Sequence, residues 1–140
     1  MLACLLSITT LAASSWPHAS YTQVRAYAYN REGDIDRPIL KNGQLDSSVV
    51  DKRSVVLTAQ QSARLIAAVT GKRPVRPEAM CFNPRHAFVF YDAAMKPVAW
   101  VELCFQCHNA EAEPQQKEQV YDVAALEKLA RELKLPLVPQ

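Results

Sequence analysis

Two apolar runs, His86 to Tyr91 and Val98 to Phe105, flank the turn-forming stretch Asp92-Ala93-Ala94-Met95-Lys96-Pro97. Short runs rich in valine and aromatics on either side of such a stretch read as a β-hairpin. Most positions in both runs are apolar, rather than every second one, which predicts that both faces of the sheet are covered. The hairpin also dictates which distant residues meet. With the turn centred near Ala94, Tyr91 falls opposite Pro97 or Val98, His86 falls opposite Glu102 or Leu103, and Cys81 reaches the level of Cys107 or His108. A slip of one residue would exchange the faces.

The rest of the chain supplies layers for this hairpin. Thr22 to Tyr29 alternates Val24, Ala26 and Ala28 against Arg25, Tyr27 and Tyr29, as a strand does. Asn30 to Asp46 carries Gly33, Pro38 and Gly43 among charges and reads as a loop. Ser48 to Leu57 reads as a second strand. Thr58 with Gln61 three residues on forms a capping-box signature, and Ser62, Leu65, Ile66 and Val69 share one face of the helix that follows. Gly71 is placed to end it. Lys72 to Pro84, with Pro74, Pro77 and Pro84, is irregular, and Asn109 to Gln119 is polar and reads as a loop. Asp122 caps a last helix with a stripe of Leu126, Leu129, Ala130 and Leu133, ended by Pro136. The order predicts an α+β fold: a small mixed or antiparallel sheet, a central β-hairpin and two helices packed on it. With 140 residues, 49% of them hydrophobic, the chain has material for one packed domain.

The first twenty residues contain no Asp, Glu, Lys or Arg, and Leu2 to Ala13 is nearly all apolar. Small residues follow at Ala12, Ala13, Ser14 and Ser15. This is the pattern of a secretory signal peptide over residues 1–20, too short for a stable membrane span. No Lys or Arg precedes the apolar run, so either the true start lies upstream or the N-terminal amine alone supplies the positive charge. Cys4 precedes the apolar region instead of following it, which argues against lipidation. The expected mature chain begins between Ala13 and Tyr21 and forms a single domain over residues 21–140, in the periplasm or secreted. Its formal charge near balance, +2 over the whole chain, and its scattered Lys and Arg argue against a nucleic-acid surface.

Removing the leader takes Cys4 and His18 with it and leaves Cys81, Cys104, Cys107, His86 and His108. The hairpin brings Cys81, His86, Cys104 and Cys107 to one end of the sheet, where three chemistries compete. A disulfide from Cys81 to Cys104 or Cys107 suits an oxidising compartment and would contribute roughly 3 kcal/mol. Zinc could take Cys81, Cys104 and Cys107 with His86 or His108. The string Cys104-x-x-Cys107-His108 is also the attachment motif of a c-type haem, with Met80 or Met95 as distal ligand and electron transfer as the function. The motif ends a strand, whereas haem attachment normally uses an enclosing helical scaffold, so a disulfide or zinc is the primary reading. No helix begins at Cys104 to activate the pair for thioredoxin-type catalysis. Arg85 and His86 could orient a ligand with Glu102 as cross-strand partner, or simply make a salt bridge at the start of the strand. Phe88, Phe90 and Trp100 read as core, and Tyr27, Tyr29 and Tyr91 as core or a binding face. A Gly-rich phosphate loop, paired catalytic carboxylates and a nucleophile elbow are all missing, which favours a binding or structural role over an enzyme.

The stretch Cys81-Phe82-Asn83-Pro84-Arg85-His86 followed by the hairpin and Cys104-Phe105-Gln106-Cys107 resembles a group of small secreted bacterial proteins of uncharacterised function, with a C-x-x-P-R-H … C-F-x-C pattern. In that group the residue after the last cysteine is not reliably histidine. The resemblance therefore implies export and an incidental His108, and it implies no activity. The sequence reading is an exported bacterial binding or structural module, of the kind that contacts another periplasmic protein as an inhibitor or immunity-type partner does.

Overall fold

The structure, a computed structural model, describes residues 15–31, 36–49, 54–71, 81–116 and 120–137. In chain order the elements are β1 (Gln23–Ala28), β2 (Leu40–Lys41), β3 (Gln44–Leu45), β4 (Val55–Val56), α1 (Ala59–Thr70), β5 (His86–Tyr91), β6 (Pro97–Cys104), β7 (Asn109–Glu113) and α2 (Val123–Glu132). Five strands form one antiparallel sheet in the order β4-β1-β5-β6-β7, and β2 and β3 form a separate two-stranded ribbon. This is an α+β fold with the hairpin at its centre.

The β5–β6 register decides which face each residue serves. Tyr91 pairs with Pro97 and Phe90 with Ala99, so the strands shift by one residue at a bulge beside the turn. Beyond it the pairing runs regularly to His86 opposite Leu103. Asp92 closes the turn: its Oδ1 accepts from the backbone N–H of Ala94 and of Lys96. All six residues of β5 are buried, as a strand covered on both faces requires.

One face carries the larger core, with Val24, Ala26, Phe88, Phe90, Val101 and Leu103 from the sheet meeting Leu65 and Val69 of α1 and Leu126 and Leu129 of α2. The other face holds Tyr27, Tyr29, Ala87, Val89 and Tyr91 beneath Ile39 and Leu40 from the segment around the ribbon. The three tyrosines are therefore interior rather than a binding face. Tyr27 and Tyr91 bring their hydroxyls to 2.8 Å. Burial, with the hydrogen bond to Tyr27, raises the Tyr91 phenol well above its ordinary value, against a smaller opposing pull from the charge of Arg25. Trp100 is only half-buried at the margin of this second core.

Several expectations need correction. The polar composition of Asn109 to Gln119 predicts a loop, whereas Asn109–Glu113 is the edge strand β7, paired along β6 from Trp100↔Glu113 to Cys104↔Asn109. Its polar residues alternate with buried Ala110 and Ala112, small enough to be overlooked as a core face. Asn30 to Asp46 contains the β2–β3 ribbon, closed by Asn42 at φ 53° and Gly43 at φ 75°, the left-handed pair that an Asn-Gly hairpin turn needs. Of the expected strand over Ser48 to Leu57, only Val55–Val56 is strand among the described residues; 50–53 lie outside them.

Thr58 caps α1 as expected, with both arms of the capping box formed to Gln61. Gly71 ends the helix in extended backbone, φ −64°, and not through a left-handed turn. Asp122 accepts from Ala125 N–H at the start of α2. That helix ends at Glu132, before Pro136, and Lys134 just beyond its cap lies in the left-handed region. The Lys72 to Met80 part of the irregular segment lies outside the described residues.

Trp16 is 2% exposed, stacks edge-on against Phe90 with centroids 5.1 Å apart, and donates its indole N–H to the Pro114 carbonyl at 2.8 Å. Tyr21 meets the same Phe90 ring. The packed domain thus includes residues before 21.

Candidate functional site

The Cys104–His108 string is the four-residue loop of the β6–β7 hairpin and its first anchor, since β6 ends at Cys104 and β7 begins at Asn109. His108 N–H donates to the Phe105 carbonyl at 3.2 Å, and His108 itself sits exposed at φ 51°. The string therefore forms a tight turn, for which Asn109 and a left-handed residue before it are suited.

This turn meets the segment leading into β5. Cys81 and Cys107 lie at disulfide distance, Sγ–Sγ 2.27 Å and Cα–Cα 5.8 Å, with 26 residues separating them in sequence. Arg85 N–H donates to the Leu103 carbonyl, which continues the β5–β6 ladder one step towards the bridge. Cys104 is a free thiol, 2% exposed, and its sulfur accepts the Cys107 backbone N–H at 3.2 Å. Cys81 is exposed, whereas Cys107 is buried. Of the two pairings the sequence left open for Cys81, the structure has the one with Cys107.

His86 stands on the helix-bearing face, one strand position past Arg85. Its Nε2 is hydrogen-bonded to the Pro136 carbonyl beyond α2, and its ring lies 4.9 Å from that of Phe105. It reaches the cysteine turn through that aromatic contact, not through its nitrogens. Its Nδ1 is buried without a hydrogen-bond partner. Burial lowers its pKa, and the charges of Arg31 and Arg85 push the same way against the Pro136 carbonyl.

Glu102 lies on the opposite face. It pairs with Ala87 and not with His86, so the expected partnership of Arg85 or His86 with Glu102 does not form. Instead its Oε1 accepts from Tyr29 Oη at 3.1 Å and from the Ile39 backbone N–H. The carboxyl pins the loop that covers the second core. Burial pushes its pKa up despite those two donors, and Glu111, directly opposite on β7, adds to the rise. Arg85 uses its Nη1 on the Asn30 and Arg31 carbonyls at 2.8 and 3.0 Å. Arg85 and Glu102 thus hold the chain between β1 and β2 in two different places.

The bridged arrangement does not match either cofactor. A zinc ion at Cys81, His86, Cys104 and Cys107 would need two sulfurs that are joined to each other and an imidazole nitrogen already turned to Pro136. Among the described residues no three His, Cys, Asp or Glu side chains gather as a metal-binding group. Haem attachment would need Cys104 and Cys107 both as thiols. Met95 stands exposed in the β5–β6 turn, at the far end of an eight-residue strand from Cys104. At about 3.3 Å per residue that is roughly 25 Å away, out of reach of a shared iron. Met80 lies outside the described residues.

Fold and site together define an α+β domain whose helix-backed antiparallel sheet is stapled at one end through Cys81 and Cys107. Comparison with protein-family models, curated proteins and solved structures found no match.

Proposed function

We propose that this is an exported bacterial protein acting as a binding or structural module towards another periplasmic or secreted protein, in the manner of an inhibitor or immunity-type partner. The observation that carries the reading is the Cys81–Cys107 pair at the end of the sheet. A structural disulfide persists in oxidising compartments and is rare in a reducing cytosol. The charge-free apolar segment at the N-terminus supports the same route. None of the described helices is long and apolar enough to cross a membrane.

The buried Trp16 supports a leader that ends before it. A cut at Tyr21 would remove a buried indole from the core, and truncating a buried aromatic costs about 3–5 kcal/mol. Cleavage is therefore expected among the small residues Ala13 to Ser15, which leaves Trp16 in the domain. Fractionation of the expressing cell followed by N-terminal sequencing tests this. A periplasmic chain starting at or before Trp16 is the expected result; a cytoplasmic chain retaining Met1 would overturn the export reading.

A further inference from the structure

We propose that the end of the sheet is a thiol–disulfide relay, in which Cys104 exchanges into the bridge so that Cys81–Cys107 and Cys104–Cys107 interconvert and the exposed Cys81 thiol is released. The proposal rests on the reading above in one respect: the bridge must form in the mature protein.

Three features of the turn lead here. Cys107 is common to both isomers, lying three residues from Cys104 in one hairpin loop and 5.8 Å by Cα from Cys81. The Cys104 sulfur is held against the Cys107 backbone by the N–H it accepts at 3.2 Å. Exposure then separates the roles, because Cys104 and Cys107 are 2% and 6% exposed while Cys81 lies at the surface. An ordinary core cysteine packs as a small hydrophobe. This one sits beside a disulfide, oriented by the backbone of one of its two sulfurs.

The step balances without an added oxidant. Cys104 gives its proton to solvent and attacks Cys107 Sγ as thiolate. The Cys104–Cys107 bond forms, the Cys81–Cys107 bond breaks, and Cys81 leaves as thiolate and takes a proton from solvent. Cys104 is oxidised and Cys81 is reduced, so the protein as a whole is unchanged in oxidation state. Burial shields the attacking thiol from dissolved oxidants, and the rate of exchange is set by its thiolate fraction and by access to the Cys107 sulfur within the same turn. The released Cys81 thiol can attack a disulfide of a partner protein or a small disulfide of the compartment, forming a mixed disulfide as one sulfur of the attacked bond leaves as thiolate, and the segment leading into β5 loses its tie to the β6–β7 turn.

The test uses the oxidised mature protein, incubated at several pH values, quenched in acid, unfolded, alkylated with N-ethylmaleimide and mapped by peptide mass. The relay predicts label on both Cys81 and Cys104, in a ratio that becomes constant with time and is reached faster as pH rises. Label confined to Cys104 at every pH would overturn it while leaving the bridge intact. Intact molecules that each carry three labels would overturn both the relay and the bridge. Two variants keep the outcome decisive. Cys81→Ser should oxidise to a Cys104–Cys107 bond and take no label, and two labelled thiols there would contradict the relay. Cys104→Ser should hold Cys81 fully bridged, and free Cys81 in that variant would show that Cys104 is not the attacking group.

Discussion

His86 on β5 and Glu102 on β6 are buried ionisable side chains of the central hairpin, and their pKa values are shifted so that they affect stability in opposite senses. Glu102 accepts hydrogen bonds from Tyr29 and Ile39, yet burial raises its pKa, so its charge weakens the fold while its oxygen serves it. Glu102→Gln keeps an acceptor oxygen and is expected to cost little or to stabilise, increasingly so as pH rises above the ordinary carboxylate range. Glu102→Ala strands both donors and should lose about 1–3 kcal/mol in urea titration. His86 behaves the other way. Its folded pKa lies below the unfolded value, so the unfolded chain binds the extra proton, and stability falls as pH drops below the ordinary histidine value. The fall ends once pH passes the depressed folded value. Between about pH 7.5 and about pH 5 the urea midpoint of the parent should change relative to that of His86→Gln, the parent losing more stability towards pH 5 while the Glu102 contribution is common to both, and an equal pH response in the two would contradict a buried neutral imidazole.

Elements were legible in proportion to how local their signals are. The central hairpin was visible because its apolar runs and Asp92–Pro97 turn lie next to each other, and the capping boundary of α1 was visible because Thr58 and Gln61 are three residues apart. β7 was missed because its inward side chains are alanines, which carry little periodic signal between glutamates. The β2–β3 ribbon did carry a local signal, Asn42-Gly43, that the surrounding charges and Pro38 outweighed. The partnership expected for Glu102 failed for a different reason: the bulge at Phe90–Tyr91 fixes the register with His86 opposite Leu103, and one residue of register moves a side chain across the sheet. The ribbon offers a test at this scale. Gly43 sits at φ 75° with open space where a Cβ would point, so Gly43→Ala meets no clash and should cost only the backbone term, about 1–2 kcal/mol in thermal or urea melts. A neutral or stabilising result would contradict a left-handed residue at this turn.

At the scale of the molecule, the staple is what the cysteine pattern promised and the sequence could not assign. Proximity of Cys81 to the C-x-x-C followed from the hairpin, but the choice of Cys107 over Cys104 depends on how the β6–β7 turn presents its corners, and that turn became visible only with β7 in place. The two helices are tied to the sheet by the larger core and to each other by the Arg64–Glu132 pair, exposed at 2.8 Å and so worth little. The Cys81–Cys107 bridge closes this end of the sheet, and a thermal melt of the mature protein with and without reductant, repeated with chelator, shows whether it does so. Opening a bridge that spans 26 residues should cost roughly 3 kcal/mol and lower the melting temperature by on the order of 10 °C, with chelator having no effect. A melt that ignores reductant but falls with chelator would rule out the bridge and place a metal where the structure has a disulfide.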